Sequence, residues 1–196
     1  MIWCPKQTPT IGTSASNAAR MMRSQRSGLI GLITGAISMS PEPTQPAGLP
    51  ELFIVQGIQK SLANSGMTLM IADTGGVVEK AAPLIDTFLR HRVEGLIYVA
   101  EYHQKVALPL ISDGTPMILA NCFDDRGTPA ILPDDKRGQL DLVARLITAG
   151  HRRIGYLTLR PEIAAGRLRL EGYRAALQAG GIAYDAALVE NCDLEG

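Results

Sequence analysis

Six short and nearly continuous apolar runs, spaced by polar and helix-like stretches, constrain this chain more than any other feature. They are GLIGLIT (28–34), MTLMIAD (67–73), VEGLIYVA (93–100), TPMILAN (115–121), TPAILPD (128–134) and RIGYLTL (153–159). A strand with only one face on a core alternates apolar and polar residues; a run apolar at nearly every position reads as a parallel strand covered on both faces. The covering elements are visible as stripes of helical spacing: Val55, Ile58 and Leu62; then Ala81, Leu84, Ile85 and Phe88; then Leu140, Val143, Ala144 and Ile147. Ser65-Gly66 and Ala149-Gly150 supply stop signals. Pro133 followed by Asp134 and Asp135 supplies an N-cap and a first-turn acid for the helix over 135–149. Repeated strand–helix–strand units imply right-handed crossovers, and so an α/β fold with a doubly wound, open parallel sheet. With 46% hydrophobic and 19% charged residues, the chain can bury a core of that kind.

Two regions interrupt the rhythm. Residues 38–50 (SMSPEPTQPAGLP) read as a long Pro-rich loop after the first strand. Beyond residue 160 a new unit begins: Leu170, Tyr173 and Leu177 stripe a helix that ends at Gly180-Gly181, and a strand is expected near Leu188. The sequence shows no partner for that helix, so residues 167–179 are expected to expose an apolar stripe and favour association. The formal charge is zero, yet residues 1–27 carry Lys6, Arg20, Arg23 and Arg26 without any acid. Such an arm suits phosphates; a solvated basic tail is the alternative. Cys4, Cys122 and Cys192 form no metal or redox pair, which fits a reducing compartment. The first residues lack a secretory apolar stretch, and no run approaches the ~20 apolar residues of a membrane span. A soluble, cytoplasmic protein is the expectation.

In an open parallel sheet, ligands bind beyond the carboxyl ends of the strands. The residues there are Thr34 to Ile37, Asp73 to Gly76, Glu101 to His103, Asn121 to Asp125, Asp134 with Asp135, and Arg160. Carboxylates such as Asp73, the amide of Asn121 and the aromatic Tyr102 suit a hydroxylated small molecule. Loop capping is the competing role for each. Enzymatic signatures are missing: Gly28, Gly31 and Gly35 are spaced wrongly for a dinucleotide loop, and no nucleophile elbow or metal-ligand spacing occurs. His91 and His151 fall at helix C-termini, where a cation is favoured. Neither an enzyme nor a cofactor nor a metal is implied.

Three stretches then become specific. LPDDKRGQLDLVARLITAGHRRIGYL (132–157) resembles the LacI/GalR regulators, in which a D-[DN]-x-x-G helix start leads to a G-H-[RK]-x-I-[GA] entry into the sixth strand. AAGRLRLEGYRAALQAGGI (164–182) is similar to that family's R-x-x-G-[YF]-x-x-A-L segment, and AARMMRSQRSGLIGLI (18–33) to its hinge helix and first core strand. The resemblance covers about residues 18–182, in order. It implies the first lobe of a type I periplasmic-binding-protein-like domain plus the start of a second: a hinge-bearing arm at 1–27, a first lobe at 28–160 and a shortened second lobe at 161–196. It also implies a homodimeric regulator or repressor, with operator DNA and a sugar-like effector as partners. At matching positions, Arg169 would reach the effector from the second lobe, and Asp134 and Asp135 would supply a first-lobe acid. Met22 would wedge into the minor groove, flanked by Arg20 and Arg23. Ala15-Ser16 departs from the usual Pro-Asn hinge entry, and residues 1–17, which precede the hinge, show no helix-turn-helix pattern. The alternative is a sugar-binding protein of an ABC-type transport system, which shares the fold.

Overall fold

The computed structural model describes residues 26–35, 49–159 and 163–191. The hinge candidates Arg20, Met22 and Arg23, the rim position Arg160 and most of the Pro-rich loop lie outside the described residues. Five strands form one parallel sheet: β1 (Leu29–Thr34), β2 (Thr68–Asp73), β3 (Gly95–Lys105), β4 (Met117–Phe123) and β5 (Ala130–Ile131), in the order β2-β1-β3-β4-β5. Leu32 lies beside Ile71 on one side and Ile97 on the other, so β1 is an interior strand and its residues alternate between two covered faces.

Each face has its helix. Leu32, Val99 and Ala120 receive Ile54, Val55 and Ile58 of α1 (Leu49–Leu62). Ile33, Leu96 and Leu119 receive Ala81, Ile85 and Phe88 of α2 (Ala81–Arg90). This is the doubly wound arrangement that the apolar runs require, since a strand buried on both sides needs apolar residues at successive positions. Gly31 allows the second contact: a Cβ there would lie 2.6 Å from the Phe88 ring and 2.8 Å from Leu96.

The last third of the described chain differs from expectation. Residues 153–159 were expected to extend the first sheet within a lobe ending near 160. Instead β6 (Tyr156–Thr158) pairs in parallel with β7 (Val189–Asn191) in a separate two-stranded sheet. Helix α3 (Asp135–Thr148) turns its stripe away from the five strands and packs along α4 (Ala164–Ala179). Val143, Ile154, Tyr173, Ala176 and Leu177 form that second core, with Leu140 and Ile147 beside them. The helix expected to stand unpaired is therefore covered, and the apolar stripe Leu170–Tyr173–Leu177 is not an exposed association surface. The physical reason is close approach. At Gly172 a Cβ would run into the Lys136 carbonyl, so the absence of a side chain lets the two helices touch backbone to backbone. Tyr173 completes the seam by donating its hydroxyl to the Ile154 carbonyl at 2.9 Å and stacking on Tyr156 at 4.9 Å between ring centroids. No described helix is long and apolar enough to cross a membrane.

Candidate functional site

The carboxyl ends of β1, β2 and β3 are shaped by backbone irregularities. After β2, Asp73 accepts the Gly75 amide at 3.1 Å, and Gly75 and Gly76 both take positive φ, at 62° and 77°. An Asx turn followed by two left-handed residues brings bare backbone toward the sheet. Thr74, fully enclosed, donates its amide to the Thr34 carbonyl at 2.8 Å and pins that turn to the end of β1. On the other side, the β3–β4 register jumps: Val99 lies opposite Ala120, but the next pair is Gln104 with Cys122. Four residues, 100–103, thus stand against Asn121 alone. Asn121 accommodates this bulge with φ at 59° and donates its side-chain amide to the orphaned Ala100 carbonyl at 3.1 Å.

The bulge aims Glu101 into a cavity of about 320 Å³ bordered by Gly35, Thr74, Gly76, Tyr102 and Lys105. Glu101 Oε1 is buried and has no hydrogen-bond partner among the described residues. Desolvation, and then the charge of Asp73, push its carboxyl above the ordinary range. The fit is close, because a Cβ on Gly35 would sit 3.0 Å from that same oxygen. A buried carboxylate oxygen calls for a donor, and hydroxyls are the ligand groups that supply one most simply. Tyr102, exposed at the cavity rim, offers an aromatic face beside it.

Beyond β5, Asp134 and Asp135 take different roles. Asp134 is exposed and N-caps α3, accepting the Arg137 amide at 3.1 Å. Asp135 has a side chain only 2% exposed; its Oδ2 accepts His103 Nδ1 at 2.8 Å and its Oδ1 accepts Arg169 Nε at 2.6 Å. Arg169, with a side chain 44% exposed, has only Nε engaged among the described residues. The sheet, α3 and α4 therefore meet at one carboxylate.

Residues 41–194 match the family model described as periplasmic binding proteins and the sugar binding domain of the LacI family. The chain belongs to that family. Among its relatives, the ribose operon repressor of Escherichia coli (strain K12) is 30% identical over 132 residues, 66% of this chain and 40% of the repressor. The HTH-type transcriptional regulator GalR of the same organism is 30% identical over 176 residues, 87% of this chain and 48% of the regulator. A crystal structure of a LacI-family transcriptional regulator protein from Rhizobium etli superposes with a TM-score of 0.69 at 32% identity, covering 85% of this chain and 56% of that one. The chain thus spans about half the length, or less, of the relatives it matches.

Within this LacI-type fold, the six residues expected from sequence to meet an effector divide. Tyr102 lines the cavity, Asp73 bears electrostatically on it, and Asp135 and Arg169 pair with each other. Asn121 and Asp134 hold backbone groups instead, the first at the bulge and the second at a helix start. Glu101 and His103 fall within the rim stretch read from sequence, but nothing there marks them out from their neighbours; the register jump does. A faint trace exists in the polar Glu101-Tyr102-His103 interruption of an otherwise apolar strand. Asp124, also at the rim, is closed on itself. The Thr128 hydroxyl at 2.7 Å, with the Thr128 and Arg126 amides and the Arg126 side chain, brings its carboxyl down to about 2. Cys122 is fully buried and burial pushes its thiol up to about 12. Of the arm's cations, Arg26 forms a two-nitrogen clamp on Glu94 at 2.9 and 2.8 Å, and Glu94 also accepts the Gly28 amide at 2.7 Å. No group of His, Cys, Asp and Glu among the described residues is arranged for a metal ion.

Proposed function

We propose that this chain is the effector-sensing part of a LacI/GalR-type transcriptional regulator that binds a sugar-like, polyhydroxylated small molecule at the carboxyl ends of β1–β4. The observation that carries the reading is the buried Oε1 of Glu101, without a hydrogen-bond partner among the described residues, in the cavity beyond those ends. A ligand hydroxyl donating to it converts an unfavourable desolvated charge into a charge-assisted hydrogen bond. Asp73 and Tyr102 serve the same ligand from the first packing unit, and the open end of the Arg169 guanidinium serves it from the second. Asp134, Asp135 and Asn121 support the walls. The division between lobes falls at the β5–α3 connection, close to Pro133, rather than at 160.

Binding, rather than catalysis, is the role. An effector touching both units with different affinity in open and closed arrangements shifts their population. In a homodimeric, cytoplasmic regulator that shift reaches operator DNA through the segment containing Arg20, Met22 and Arg23. The arm's remaining cations fit phosphate contact. Relatives named as a repressor and as a transcriptional regulator favour this over a transport receptor.

Calorimetric titration with D-ribose, D-galactose and cellobiose, on the parent chain and on Glu101→Gln, tests the reading. Binding of one sugar, weakened about tenfold or more by the substitution, supports it; one lost charge-assisted bond corresponds to roughly that factor. Equal affinity in both proteins would remove Glu101 from the site. A companion measurement of salt-dependent binding to duplex DNA separates regulator from receptor: a receptor shows none.

A further inference from the structure

His103 occupies a position that effector binding alone does not explain. It belongs to the first sheet, at the last residue of the β3 bulge, yet its ring is 6% exposed and its partner sits on α3. It forms a T-shaped pair with Phe123, centroids 5.7 Å apart and ring planes at 83°, which restricts the ring plane. Asp135 only accepts hydrogen bonds as a carboxylate, so Nδ1 is the donor at 2.8 Å. With His103 on Oδ2 and Arg169 Nε on Oδ1, the carboxylate cannot rotate without losing one partner. Remove the histidine, and a nearly inaccessible oxygen is left without a donor, at a site where that is costly.

We infer that His103 is a positioning residue for Arg169, acting through Asp135: the bulge of the first sheet sets the direction in which the second unit's guanidinium presents its two unengaged nitrogens. A long arginine side chain has high rotamer freedom, and a partly exposed one stays in a single orientation only when its near end is fixed. Nε is that near end. The chain His103–Asp135–Arg169 also links the two packing units directly, so a change in their relative placement alters the aim of Arg169 or breaks a buried contact. The inference rests on the proposal that Arg169 meets the effector, but its test needs no effector.

Nitrogen-15 NMR of the full 196-residue chain reads the relay. In the parent protein, His103 should carry a proton on Nδ1, and Arg169 Nε–H should give a resolved, slowly exchanging resonance. His103→Leu should abolish that resonance. His103→Asn should restore it, because the Asn amide nitrogen falls near the place of Nδ1 and can donate to the same oxygen. An unprotonated Nδ1 in the parent chain overturns the inference, as does an Arg169 resonance that survives His103→Leu. Loss in both variants also overturns it, in favour of a purely steric role for the ring. Should His103→Leu fail to fold, the tautomer and the Asn variant still decide. A confirmed relay with no sugar bound would sink the effector reading alone.

Discussion

The two cores of this molecule are built by different physics. In the first, strands apolar at nearly every position are pinned by parallel hydrogen-bond ladders and covered by α1 and α2, so Leu32 and Ile33 are both fully buried although they point opposite ways. In the second, two helices and a two-stranded sheet enclose a smaller cluster whose closure depends on one glycine and one tyrosine. The first core is redundant, with many contacts of similar kind. The second is smaller, and its helix seam relies on a close backbone approach at Gly172 and on the buried Tyr173 hydroxyl. Between them lies Asp135, belonging to the second by its helix and to the first by its histidine.

The largest expected effect is in the redundant core. Leu119→Ala, at a fully buried position in β4, should cost about 3 kcal/mol in urea unfolding, from lost transfer energy plus the cavity left behind. Hydrogen exchange then tells whether the cores are separate. Loss of protection confined to β1–β4 sustains the distinction, and equal loss in α3 and α4 would make the molecule one cooperative unit. Gly172→Ala should cost about 2 kcal/mol by forcing α3 and α4 apart, with exchange rising first at Val143 and Tyr173. An unchanged midpoint would show that the helices part without penalty.

Glu101→Gln should act in the opposite direction. Replacing a desolvated carboxylate by a neutral amide should stabilise the ligand-free chain by up to about 1 kcal/mol. Its stabilising effect should fade as pH falls through the raised carboxyl pKa, since the parent then also becomes neutral there. The smallest effect belongs to Asp124. Its folded pKa of about 2 lies below the ordinary aspartate value near 4, so the stability it contributes is complete above about pH 4 and is lost as pH falls toward 2. Asp124→Asn should flatten the unfolding profile in that window; an unaltered profile would place the acid sensitivity elsewhere.

The same contrast explains what sequence could show. Strands β1 and β3 were legible because burial on both faces writes itself into successive residues, and α2 because Ala81, Ile85 and Phe88 keep helical spacing; the run at 128–134, read the same way, instead forms β5 with both residues exposed. The Asp134 cap and the glycine stop at Gly150 were legible because their chemistry is local. Helix α3 was visible as a helix, but its partner was not. Periodicity states which face is apolar and says nothing about what covers it, and the decisive contact, Gly172 on Lys136, links residues far apart in sequence. The candidate site divides likewise. Asp135 and Arg169 entered through the resemblance, and the fold brings them together. Glu101 and His103 depend on a slip in register between β3 and β4, which leaves almost no local trace.

Cys122 carries a kinetic consequence. Buried in β4 and held protonated, its thiol cannot attack a disulfide or an alkylating reagent while the strand is in place, because the thiolate is the nucleophile. Modification must wait for the strand to leave the sheet. With Cys4 and Cys192 replaced, the labelling rate at this one sulfur becomes a clock for opening of the first core, read at a residue the chain already carries and indifferent to the second.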